Sequence, residues 1–265
     1  MKIDMVVPAY KADRFIEESI SSIMGQEHLP KGTSIRVIVV CDGCDDTYSV
    51  AKKLASEKVI VVMCHENSGA YQAINCGLSL ARIDCDLIGT QGADDVMHSR
   101  RMSQTIQMLK GLKDRTAAFN CKSNRIDKDG NVLTRLGLNP SNSGTYIYTS
   151  NVLKEIGMYK PWWCGADNEY RERFYRIGGR VHQVHKLLHS YRKHKDQLTS
   201  APATLRGTKL RDFSYDEIVR LKRDGFDPLF QNHPVPTIFE WSGLRLPTAG
   251  SFESYFSSKP LTTQP

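Results

Sequence analysis

The chain has no long apolar run: its most hydrophobic stretches, such as residues 37–40 and 59–63, are strand-sized. A helix crossing a bilayer needs about 20 consecutive apolar residues, so no spanning helix is expected. Residues 1–8 lead directly into a strand pattern, with no small-residue cleavage site behind the short apolar run. A secretory signal is therefore not expected, and the chain is expected to work in the cytoplasm, free or peripheral to a membrane. Paired cysteine spacing is also missing. Seven cysteines, at 41, 44, 64, 76, 85, 121 and 164, are an odd and irregular set, which excludes a disulfide framework and predicts reduced thiols. Cys41 and Cys44 form one C-x-x-C, but zinc would require a second pair or suitably spaced histidines, which Cys64 and Cys76 do not provide. Internal repeats and low-complexity blocks are absent too, which excludes solenoid architectures.

What is present is a chain of 265 residues, long enough for one large α/β domain with a full core. Its net charge of +7 is unevenly distributed: residues 1–150 carry 18 Lys+Arg against 17 Asp+Glu, and residues 151–265 carry 18 against 12. A basic second half suits an acidic partner, such as a diphosphate, an anionic membrane, a lipid-linked acceptor or a nucleic acid; it is equally what a solvated basic face would show.

Strand and helix patterns alternate along the first half. Residues 3–7 form an apolar run, followed by a turn and an amphipathic segment over 14–26. The same unit recurs with strands at 35–40, 59–63 and 86–90 and helices at 47–56, near 70–81 and at 99–112. Repeated strand–helix units predict a parallel sheet. Beyond residue 115 the period weakens. Residues 117–122 read as a strand, 127–131 as a hairpin turn and 132–136 as its return arm, so the sheet becomes mixed. A loop over 139–144, helices at 151–156 and 166–177, a strand at 181–188 and a helix at 215–223 follow. The remainder, punctuated by Pro228, Pro234, Pro236, Pro247 and Pro260, reads as an arm or lid. Its Phe226, Phe230, Phe239, Trp241 and Phe252 suit folding back onto the body or onto a second subunit of a homodimer.

The chemistry-bearing residues cluster at strand ends. Pro8-Ala9-Tyr10 ends the first strand, Asp42-Gly43 the second, and Gly92-Ala93-Asp94-Asp95 the fourth, while Asn67-Ser68-Gly69 opens the third helix. In an open α/β sheet such ends share one crevice. Asp167, at the start of a charged helix behind Trp162 and Trp163, suits a general base; it equally suits a helix cap. Adjacent tryptophans there suit stacking on a sugar ring or nucleobase, with one of the two packed in the core.

Taken in order, these motifs resemble family-2 glycosyltransferases over about residues 1–200. The resemblance implies a GT-A fold: a three-layer α/β sandwich with a mostly parallel, mixed central sheet, helices on both faces and a C-terminal arm. It divides the chain into a 1–200 catalytic domain, with a nucleotide-binding half at 1–115 and an acceptor half at 116–200, and an arm at 201–265. It further implies inverting transfer from a nucleotide-sugar, UDP-linked by default, to a saccharide or lipid-linked acceptor. Pro8, Ala9, Tyr10 and Asp42 would hold the nucleoside, Asp42 accepting from a uracil N3–H, with Asn67 and Gly69 nearby. Gly43 would let backbone approach the base. Asp94 and His194 would bind Mn²⁺ or Mg²⁺ beside the diphosphate. Asp95 could join the metal, hold a sugar hydroxyl or cap a helix, and Arg192 could clamp phosphate. Asp167 would be the base, with Glu169 in reserve or ordering Arg171.

Two positions depart from the family pattern: Gly92 and Ala166 stand where acids are usual. They leave room for a non-catalytic nucleotide-sugar-binding protein. The basic second half and the tryptophan pair also suit an enzyme of viral type that glycosylates a hydroxymethylated base in DNA.

Overall fold

A computed structural model describes residues 1–112, 116–137, 146–195, 197, 202–204, 207–226 and 238–242. Its centre is one sheet in the order β10-β3-β2-β1-β4-β8-β6-β9-β5, with β7 hydrogen-bonded to β6. β1 (Lys2–Ala9), β2 (Ser34–Asp42), β3 (Val59–Cys64) and β4 (Leu87–Thr90) are parallel neighbours. They are almost wholly buried, because α1 (Ile16–Met24), α2 (Asp45–Ala51) and α3 (Ala70–Ser79) cover the two faces. Near-continuous Val and Ile runs, rather than alternation, are what two-sided burial requires.

The sheet becomes mixed past β5 (Val96–Met97) and α4 (Arg101–Lys110), as expected. β6 (Ala117–Ile126) runs antiparallel to β7 (Val132–Leu136) and β8 (Ile147–Thr149), and β8 runs antiparallel to β4. α5 (Ser150–Ile156) and α6 (Ala166–Arg176) follow, and then β9 (Arg180–Arg192) lies parallel to β6. β9 is longer than its apolar pattern predicts, because its last, polar residues are held by ladder pairing with β5 and β6. α7 (Lys209–Asp224) starts six residues before the expected helix.

The tail differs from a simple arm. Its β10 (Ile238–Ser242) pairs antiparallel with β3 and closes that edge, and Tyr48 and Ser242 hydrogen-bond through their hydroxyls at 2.8 Å. Phe226 packs under the Arg176 guanidinium at 4.6 Å. The predicted 139–144 loop, Phe230 and Phe252 lie outside the described residues.

Two apolar layers sandwich the sheet. One contains Val6, Val40, Val62, α3, α5 and the Tyr170 and Phe174 face of α6; the other contains Met5, Val39, Val61, α1 and Ile106 of α4. α6, which carries the candidate base, is thereby fixed to the same face of the sheet as α3.

Candidate active site

The parallel strands bring Tyr10, Asp42 and the 92–95 turn to one edge, because all of them lie at or just beyond C-terminal strand ends. Pro8 and Ala9 are the last residues of β1, and Ala9 is buried; Tyr10, just beyond, is 44% exposed. Tyr10 is thus the most exposed of the trio, with Pro8 half-buried.

Asp42 is almost inaccessible and holds the next loop. Its two carboxylate oxygens accept from the backbone N–H groups of Ser68 and Gly69, each at 2.9 Å. Asn67 Oδ1 accepts from the same Gly69 N–H at 3.0 Å. Asp42 and Asn67 therefore build the N-terminus of α3, a role that sequence reasoning did not assign to them. Burial raises the Asp42 pKa, against the pull of the two amides. Gly43 also serves this loop: at φ 66°, a Cβ there would lie 2.4 Å from the Asn67 nitrogen.

Gly69, at φ 92°, lies against Trp163. A Cβ at this position would lie 3.1 Å from Trp163 Cε3, so the indole rests on the glycine backbone. Trp163 is 45% exposed, whereas Trp162 is partly buried against the core and meets Phe213 edge-on. The tryptophan pair divides as expected, with Trp163 as the outward member.

Asp167 lies in the first turn of α6, whose cap residue is Gly165 rather than Asp167. Tyr71, in the first turn of α3, donates its hydroxyl to Asp167 Oδ1 at 2.7 Å. Burial, and then the Asp167 charge, push the Tyr71 pKa well up, so the phenol stays protonated and donates. Asp42 and Asp167 are thus joined through residues 68–71, one at each end of that short segment.

Glu169 is not a second base. It is fully buried and pairs with Arg173 at 2.7 and 2.8 Å, not with Arg171, while Arg173 also donates to the carbonyls of Ile156 and Met158. Arg171 instead donates to Asn168 at 2.9 Å.

At the 92–95 turn the two adjacent acids point to different partners. Asp94 Oδ2 lies 2.8 Å from His194 Nε2, with both side chains partly exposed. Asp95 is buried, accepting the Arg192 N–H at 3.1 Å and facing His189 Nε2 at 3.3 Å. Burial raises its pKa first, and the neighbouring Asp94 charge adds to this, with His189 and the Arg192 N–H opposing. Asp95 is thus tied to β9 through both carboxylate oxygens. Arg192 is likewise engaged within the protein: its guanidinium donates to the carbonyls of Asp94, Asp127 and Lys128 and to Glu18.

Among the described residues no group of three or more His, Cys, Asp or Glu converges as a self-sufficient metal site. The Asp94–His194 pair still fits a divalent cation shared with a substrate. A carboxylate oxygen and an imidazole nitrogen, 2.8 Å apart, would suit such an ion, which is commonly held by one or two carboxylates plus substrate phosphates. The imidazole nitrogen suits Mn²⁺ better than the oxygen-seeking Mg²⁺. The seven cysteines are free thiols, six of them buried.

Residues 4–166 match the family model for glycosyl transferase family 2. The chain belongs to glycosyl transferase family 2. The match stops one residue short of Asp167, which is attached to it by the Tyr71 hydrogen bond. An uncharacterized glycosyltransferase of Haemophilus influenzae is 23% identical over 230 residues, covering 75% of this chain and 67% of that protein. Among solved structures, S. aureus TarS 1-349 in complex with UDP-GlcNAc aligns with a TM-score of 0.61 at 18% identity, over 76% of this chain and 61% of that one. The UDP complex of the same protein aligns at 0.59 and 18% identity, over 74% and 61%. The chain therefore spans about three fifths of the TarS fragment. These likenesses bear out the GT-A architecture of this family-2 glycosyltransferase. Among the described residues no helix is long and apolar enough to cross a membrane.

Proposed function

We infer that this family-2 enzyme transfers a sugar from a UDP-sugar to an acceptor hydroxyl with inversion, and that Asp167 is its base. The observation carrying this reading is the Tyr71–Asp167 hydrogen bond, which ties the first turn of α6 to the loop that Asp42 holds at the donor edge of the sheet. The UDP and UDP-GlcNAc complexes of TarS support a uridine donor. Tyr10, exposed at the end of β1, is the side chain available to the nucleoside.

In the reaction, Asp167 takes the acceptor proton while the acceptor oxygen attacks the anomeric carbon. The bond from that carbon to the diphosphate oxygen breaks on the opposite face, its electron pair leaves with UDP, and a single displacement inverts the centre. The Tyr71 hydroxyl orients the carboxylate for this transfer. Asp94 and His194 would hold Mn²⁺, which when bound neutralises charge developing on the leaving diphosphate. Trp163 offers an exposed indole four residues before the base, suited to stacking on a saccharide acceptor.

The test is UDP release from a panel of UDP-sugars with Mn²⁺ and oligosaccharide or glycolipid acceptors. Asp167→Asn should lower kcat by about 10²–10⁴-fold, the usual worth of a general base. Asp94→Asn should lower activity in a way that added Mn²⁺ partly restores. Full activity in both variants would overturn the assignment, and no turnover by the wild type with any donor would leave a nucleotide-sugar binder.

A further inference from the structure

The buried guanidinium of Arg192 joins four segments. Nε donates to the Asp94 carbonyl at 3.0 Å, one terminal nitrogen donates to the Asp127 and Lys128 carbonyls at 3.1 and 3.0 Å, and the other pairs with Glu18 at 2.5 Å. Phe15 lies against both halves of this assembly, 4.9 Å from the guanidinium carbon and 5.0 Å from the His194 ring. The Arg192 N–H meanwhile holds Asp95, which also faces His189. The peptide carrying Asp94 and the strand end carrying His194 are therefore clamped to each other and to α1.

Gly92 completes the arrangement. A Cβ there would lie 2.8 Å from Asp94 Oδ1 and 2.9 Å from Asp95 Oδ2. Neither oxygen moves away cheaply, because Asp94 is paired with His194 and Asp95 is anchored twice on β9. The turn folds both carboxylates back over its first residue.

We propose that Arg192 is a positioning residue that holds Asp94 and His194 in their convergent geometry, and that this geometry requires position 92 to lack a side chain. The proposal rests on the reading of Asp94 and His194 as the metal-facing pair. A site with one protein carboxylate gains from rigidity what it lacks in ligands, and the planar guanidinium fork supplies several fixed donors where an ammonium supplies a single mobile centre.

The experiment compares the full chain with Arg192→Lys and Gly92→Asp. Mn²⁺ affinity is measured by electron paramagnetic resonance in the presence of UDP, UDP affinity by calorimetry in EDTA, and the Asp94–His194 distance in metal-free crystals. Arg192→Lys should weaken Mn²⁺ binding about 10–100-fold, the usual effect of removing an outer partner of a metal ligand, while UDP affinity in EDTA is unchanged. Gly92→Asp should also weaken Mn²⁺ binding although it adds an acid. In Arg192→Lys crystals the Asp94–His194 pair should open beyond hydrogen-bond reach.

Unchanged Mn²⁺ affinity in Arg192→Lys, a parallel loss of UDP affinity in EDTA, or tighter Mn²⁺ binding by Gly92→Asp would overturn the proposal. Should Arg192→Lys fail to fold, Glu18→Ala removes an exposed partner of the same guanidinium; weaker Mn²⁺ binding then supports the proposal, and unchanged binding overturns it. If the wild type binds no Mn²⁺, the metal reading falls separately, and the crystal distance alone decides whether Arg192 positions the pair.

Discussion

Asp42 shows how an acid at a strand end can serve the frame of the protein, holding the Ser68 and Gly69 amides. Burial lifts its pKa above the ordinary carboxylate value, so the folded chain binds this proton more readily than the unfolded chain does. For an acid shifted upward, stability is highest below the ordinary value and falls as pH rises through the interval up to the raised one. Asp42→Asn removes that dependence and adds a pH-independent penalty, because an amide presents a donor to one of two N–H groups. The stability difference between wild type and Asp42→Asn, from urea midpoints, should therefore shrink as pH rises from just below 3.8 upward. A difference that grows with pH would contradict the burial account. Other residues were legible only in part. Asp94 and Asp95 are adjacent and chemically identical, and nothing local distinguishes the acid facing His194 from the acid buried against β9. Their partners lie 100 and 94 positions away in the sequence.

At the scale of elements, the strand–helix period located most of the parallel half, because apolar spacing and turn residues act locally. β5 and β10 escaped it. The first has two residues and the second a tail segment without sustained period, and each exists because a neighbouring strand offers an open ladder. α6 was found within a residue, but the role of its Glu169 was not. An acid one turn into a charged helix reads as surface or catalytic, whereas here it is the buried partner of Arg173, which ties α6 to the end of α5. Removing one member of a buried, hydrogen-bonded ion pair leaves an uncompensated charge, typically worth 3–5 kcal/mol. Glu169→Ala should destabilise the fold by about that amount in chemical denaturation. A loss within about 0.5 kcal/mol, ordinary for a surface change, would show that Glu169 is not held as described.

For the whole molecule, the sheet must protect its edges. β3 is buried throughout, and β10 supplies its outer ladder, with Tyr48 and Ser242 joined alongside. A chain ending at residue 237 would expose the β3 edge, an apolar strand with open backbone donors and acceptors that invites pairing with other chains. Size-exclusion chromatography of that truncation should show dimers or larger aggregates, whereas a well-behaved monomer with unchanged melting would deny β10 this role.

The sequence by itself determined the family, the parallel half of the sheet and the placing of acids at strand ends, since these depend on spacing within a few residues and on turn chemistry. The tertiary structure alone decided which acids stay partly exposed beyond the strand ends and which are buried to hold the frame. That choice depends on contacts across long separations, such as Glu18 with Arg192, 174 positions apart. An isolated charge in a low-dielectric interior is costly, so a charged side chain turns inward where folding supplies its partners and outward where it does not.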